Sequence, residues 1–266
     1  MNKYKNFLLI VVLILAGCGG GGAPQDDDGM EGSQDNSTAE PPYAGTIFLD
    51  PNIIISSDKT SFLSLSYEGE GVREMFDRRV DRFSTVDVFL FNAMYDDGRI
   101  IEVQVNSEFG SENNAEIEAN RYSEEIGRLP GALRKDVETV WIHKGVELFG
   151  GGNNNILIHT GQAALYTNDG ILEETLVHEA SHSSLDATHA SAPGWLSAQT
   201  ADNRFISTYA RDNPTREDIA ETFLVYLAIR YRSDRIPTAL ELKIWETVPN
   251  RIDYFDRQSF DMHPIQ

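Results

Sequence analysis

The segment LEETLVHEASHSSLDATH, Leu172 to His189, gathers three histidines and four acidic side chains. At its centre His178-Glu179-Ala180-Ser181-His182 forms an HExxH string. Histidines four residues apart stack on one face of a helix, so both imidazoles can bind the same ion. Glu179 then lies about 100° around the helix from His178, where its carboxylate can reach a water on that ion without being a ligand. The chemistry such a set supports is metal-assisted hydrolysis, and imidazole and carboxylate ligands in a four-coordinate site suit Zn2+. The neighbouring residues favour the helix this requires. The turn TNDG precedes it, Glu173 and Glu174 complement the positive N-terminal dipole, and Leu172, Leu176 and Ala180 offer an apolar stripe.

Two histidines do not hold a catalytic zinc alone, so a third ligand is needed. His189, seven residues beyond His182, is the near candidate. The metzincin pattern would place that histidine six residues on, after a glycine; here Leu185 and Asp186 occupy the turn, and the only downstream methionine is Met262. The far candidate lies in YARDNPTREDIAETFLVYLAIRYR, Tyr209 to Arg232. Asn213 and Pro214 read as N-cap and first-turn residues, and Ile219, Phe223 and Leu227 give a helical apolar stripe. Glu217 and Glu221 fall one turn apart, so one can bind the ion while the other accepts from an imidazole N–H. On the residues alone both His189 and this pair stay open.

With these motifs, Glu173 to Arg232 resembles the gluzincin metallopeptidases, and in particular the lethal-factor-like group. In that group HExxH is followed by a tyrosine, a short loop and a helix carrying Glu-x-x-Ala-Glu, which EDIAE (Glu217 to Glu221) matches. The resemblance implies a zinc endopeptidase acting on a peptide or protein substrate. His178, His182 and Glu217 would be the metal ligands, Glu221 the partner of a ligand imidazole, Glu179 the general base, and Tyr209 the donor that steadies the developing oxyanion. It also implies that ILIHTGQAALY, Ile156 to Tyr166, is the edge strand along which an extended substrate pairs. The competing expectation is a non-catalytic surface lipoprotein whose metal, or packing alone, only stabilises the fold.

The elements that must position these residues read as a sheet followed by helices. SFLSLSY (Ser61 to Tyr67) alternates, VDVFLFNAMY (Val86 to Tyr95) is a largely apolar run, and RIIEVQVN (Arg99 to Asn106) alternates again after YDDG; these are expected as antiparallel neighbours. A helix is expected over Asn113 to Pro130 on the spacing of Ile117, Tyr122 and Ile126. VETVWIH (Val137 to His143) and ILIHTGQAALY are further strands, separated by the loop GGGNNN. The expected fold class is α+β: a mixed, mainly antiparallel sheet followed by the HExxH helix and a second helix carrying a glutamate ligand. His143 and His159 are read as polar strand positions, and the four arginines of REMFDRRVDRF (Arg73 to Phe83) as ion-paired surface.

The chain has 266 residues and a formal charge of −20, which excludes wrapping a nucleic-acid backbone, because that needs clustered Lys and Arg. Lys3 and Lys5 followed by the apolar run Phe7 to Ala16 form a targeting segment too short to span a bilayer. LAGC, Leu15 to Cys18, resembles a bacterial lipobox, which implies cleavage before Cys18 and a lipid anchor on its thiol. Gly19, where an aspartate would retain a lipoprotein at the inner membrane, implies the outer membrane. Cys18 is the only cysteine, so no disulfide is available. The expected organisation is a signal peptide at 1–17, a disordered acidic tether at 18–45 with six acids and no base, and one metallopeptidase-like domain at 46–266, with 46–110 as a candidate N-terminal β subdomain.

Overall fold

The alternating and apolar runs at the start of the sheet belong to one long hairpin, β1 (Phe62–Asp77) and β2 (Arg82–Tyr95), with the tip inside the arginine-rich stretch. The computed structural model describes residues 40–49 and 52–265. Cys18 and the expected lipobox lie outside these described residues. β3 (Ile100–Asn106) returns antiparallel to β2 after a turn in which Gly98, at φ 83°, takes the left-handed conformation. α1 (Glu112–Gly127) and the short α2 (Gly131–Arg134) then carry the chain to β4 (Thr139–His143), which lies parallel to β3. β6 (Asn155–His159) is parallel to β4, and β5 (Gly150–Gly152) pairs antiparallel on its outer side. The sheet order is β1-β2-β3-β4-β6-β5, a mixed sheet with mostly antiparallel ladders in an α+β fold, as expected. The early strands continue into the rest of the sheet: Glu102 to Val105 of β3 pair directly with Thr139 to Ile142 of β4.

One face of the sheet carries Phe89, Phe91, Ala93 and Tyr95 from β2 and Ile101, Val103 and Val105 from β3, all buried in the main core with the helices. Alternate residues on paired strands share a face, which is why these seven align. α1 starts at the cap Ser111, whose side chain accepts from the Asn114 N–H, and buries Ala115, Ala119, Tyr122 and Ile126. Ile117, counted in the stripe from sequence, is 65% exposed because it sits on the opposite side of the helix from those four.

Two expectations about the sheet edge are corrected. ILIHTGQAALY is not one strand: the ladder stops at His159, and α3 (Thr160–Asp169) follows, ended by Gly170 at φ 73°. Its Gln-Ala-Ala-Leu run consists of good helix formers, and that propensity wins once the ladder ends. GGGNNN is not a loop between strands but a hairpin, β5 turning through Asn153 and Asn154 at φ 50° and 61° into β6. Two left-handed central residues are what a tight hairpin turn demands, and asparagine tolerates them. β6 is therefore interior, and the edge on this side is β5.

The remaining chain is helical: α4 (Leu172–Ser184), α5 (Asp186–His189), α6 (Pro193–Asp202), α7 (Thr208–Asp212), α8 (Asp218–Tyr231), α9 (Thr238–Thr247) and α10 (Pro249–Asp256). α4 packs between β5 and α8. α8 is buried from Ile219 through Ile229, including the expected stripe, but starts later than the sequence suggested. Asn213 closes α7, and a turn through residue 216 leads to Glu217 as the cap residue of α8. Residues 40–45, assigned to the tether from sequence, lie on the domain. Tyr43 bridges Ser207 in parallel fashion, and Arg211 pairs with Glu40 at 2.8 Å. Among the described residues no helix is long and apolar enough to cross a membrane.

Candidate metal centre

His178 and His182 share one face of α4, their rings 4.8 Å apart, and Glu217 reaches them from the start of α8. His182 Nε2 lies 3.2 Å from His178 Nε2 and 3.1 Å from Glu217 Oε2, and His178 Nε2 lies 3.3 Å from the same oxygen. Among the described residues these three form the group of histidine and acidic side chains able to hold a metal ion. Donors held tetrahedrally at about 2.0–2.1 Å are separated by about 3.3–3.4 Å, so the observed triangle is close to what one small ion requires.

The outer ring nitrogens fix the protons. His182 Nδ1 lies 2.8 Å from Asp186 Oδ2, and His178 Nδ1 lies 3.3 Å from Glu221 Oε1. An ionised carboxylate only accepts, so each Nδ1 carries the hydrogen and each Nε2 presents a lone pair. Two nitrogen lone pairs and a carboxylate oxygen thus converge with no hydrogen of their own to share. Only a cation, a metal ion or extra protons, satisfies that arrangement. The protein's own electrostatics say the same. Burial alone would depress His178, yet the Glu217 and Glu221 carboxylates bonded to it push it up to about 10. His182, opposed by the same burial, is pushed up to about 9 by Asp186 and Glu217. Glu217, which burial would raise, is held far below the usual carboxylate range by the two imidazoles. Positive charge is favoured here, and a divalent ion is a compact way to supply it.

Two further residues named from sequence come to the same place. Tyr209, on α7, stacks against His178 with ring centroids 6.3 Å apart and planes at 22°. Burial and the Glu217 charge raise its phenol well above the ordinary value, so it stays a donor. Glu179 neighbours the ligands on α4, and its charge acts on both His178 and Tyr209. Its backbone presses on β5: a Cβ added to Gly151 would stand 1.9 Å from the Glu179 carbonyl oxygen. Gly151 lets α4 lie this close to the sheet edge. Ser183 adds a tether there, accepting from the Gly152 N–H at 2.9 Å and donating to the Asn155 carbonyl at 2.7 Å.

His189 is not brought to the group. It is buried on α5, its Nδ1 2.8 Å from the Tyr254 hydroxyl and its ring edge-on to Tyr254 and Phe260. His143 and His159 are likewise elsewhere, stacked on each other at the ends of β4 and β6 and fully buried. Asp186 was missed as a site residue, although its place four residues after His182 on the same helical face was legible. Compared with known proteins, the chain matches no family model, no curated protein and no solved structure.

Proposed function

We propose that the protein is a zinc-dependent endopeptidase. The observation that carries this reading is the convergence of His178 Nε2, His182 Nε2 and Glu217 Oε2 within 3.1–3.3 Å, with both Nδ1 atoms occupied by carboxylates. A zinc ion bound by these three would acidify a water and polarise a peptide carbonyl. Glu179, beside the ligands but not among them, takes the proton from the attacking water and returns it to the departing amine. The Tyr209 hydroxyl, kept protonated by burial and by Glu217, donates to the oxyanion, a contribution of a few kcal/mol when preorganised. Asp186 and Glu221 hold the imidazoles in the tautomer that ligation needs. An extended substrate finds its main-chain partners along β5, the edge beside Glu179, rather than along β6. Export and acylation at Cys18, with an outer-membrane address, complete the proposal on the sequence alone.

The test is Glu179→Gln in a peptide-library cleavage assay run with and without chelator, beside metal analysis of the same preparation. Retained metal with loss of at least about 100-fold in cleavage is expected for loss of a general base. Full cleavage by the variant sinks the mechanism, and metal without cleavage in the wild type returns the non-catalytic lipoprotein.

A further inference from the structure

We infer that residues 43–49, the segment that enters the core ahead of β1, form a strap that completes the metal centre by fixing Glu221 and Tyr209 at once. This rests on the metal reading above. The Ile47 N–H donates to Glu221 Oε2 at 2.9 Å in a fully buried setting, while the other oxygen of that carboxylate lies 3.3 Å from His178 Nδ1. The carboxylate is therefore hydrogen-bonded by the strap at one oxygen and in ion-pair contact with a ligand imidazole at the other. A carboxylate free to turn about its last bond would not keep one oxygen on Nδ1, and the ring orientation it sets would be lost.

The same segment grips the tyrosine. The Thr208 N–H donates to the Tyr43 carbonyl at 2.9 Å, the Gly45 N–H to Thr208 Oγ1 at 2.7 Å, and the Tyr209 N–H to the Gly45 carbonyl at 3.4 Å. Two residues beyond Ile47, the Leu49 N–H donates to Glu174 Oε2 at 2.8 Å, on α4 one turn before His178. Ile47 and Leu49 themselves are 2% and 3% exposed, so side-chain burial seats the strap while its backbone does the positioning. Contacts to α7, α8 and α4 thus follow one another along the segment.

The decisive experiment removes one hydrogen. In the full chain, an amide-to-ester replacement at residue 47 deletes the N–H and keeps the side chain; Ile47→Pro does so genetically, and Ile47→Val, which keeps the N–H, is the control. Zinc affinity is read by chelator competition, and site geometry by the visible spectrum of the cobalt(II)-loaded protein. Circular dichroism of the metal-free forms establishes that each is folded. Weakening of about 10- to 100-fold, the range typical when a ligand's outer partner is lost, with a changed cobalt spectrum, is expected for the ester and for Ile47→Pro, and neither for Ile47→Val. If Ile47→Pro does not fold, the ester form decides. A folded ester variant with wild-type affinity and spectrum overturns the strap alone. A wild-type protein that takes up neither metal overturns the metal reading and the strap with it.

Discussion

Glu217 serves two imidazoles with one oxygen, and that single atom separates it from His189 as the third member of the metal group. His189 spends its Nδ1 on the Tyr254 hydroxyl and its ring on two aromatic neighbours. The two residues therefore predict opposite outcomes. Glu217→Ala should weaken zinc binding beyond the roughly 10- to 100-fold typical of outer partners, whereas His189→Ala should leave affinity within about twofold. The cost of His189→Ala falls on the fold instead: losing a largely buried hydrogen bond and ring destabilises by about 1–3 kcal/mol. Chelator competition reads the first effect and urea unfolding the second. A weaker zinc affinity in His189→Ala than in Glu217→Ala would reverse the assignment.

At the scale of elements, the parallel pair β4 and β6 buries its own histidines in register, His143 against His159 with rings 5.3 Å apart. Asn106 Oδ1 accepts from the Glu108 N–H, so its Nδ2 donates to His143 Nδ1 at 3.0 Å and leaves that ring neutral. Burial pulls His143 down from 6.5 to about 4; the charges around it are Asp77, Arg79, Glu108 and His159. A group whose folded value is depressed binds protons more readily when unfolded, so its contribution is complete above about pH 6.5 and is lost as the pH falls toward 4. Between pH 7 and 5 this amounts to about 2 kcal/mol. Urea unfolding of the metal-free protein across that range should show His143→Phe losing less stability than the wild type by that margin. Parallel curves would mean that His143 does not titrate between the two states.

At the scale of the whole molecule, the C-terminal helix reaches back to the metal group. Arg251 of α10 lies 2.9 Å from the Asp218 carboxylate and 3.3 Å from Asp202 of α6, with all three side chains fully buried. Gln199 of α6 donates to Asp218 at 2.9 Å and to the Pro214 carbonyl at 3.1 Å. The turn that ends on Glu217 is therefore held from α6, and the residue after it from α10. Arg251→Met would leave two buried carboxylates without their cation, a loss of about 3–5 kcal/mol. Urea unfolding should show it, accompanied by weaker zinc binding because the start of α8 is no longer pinned. Unchanged stability would mean that the network is replaceable by packing.

What the sequence determined by itself is local chemistry and local period. HExxH spacing depends only on helical geometry and the alternation of β1 to β3 only on the pleat, so the α+β class and the two histidines could be read from the chain, whereas Glu217 was singled out over His189 only through the resemblance. Even the helix start at Asn213 was misplaced by that method, since a good cap sequence can equally close the preceding turn. Tertiary structure alone decided the rest. It joined Glu217 to histidines 35 and 39 residues away and turned His189 into the aromatic core. It put Gly151 at the sheet edge, where any side chain would collide with the Glu179 backbone of α4, and it ran residues 43–49 across the helices to meet Glu221, 174 residues on from Ile47. Contacts of that kind are made by backbone groups, which every residue carries, and by the absence of a side chain, which no periodicity records.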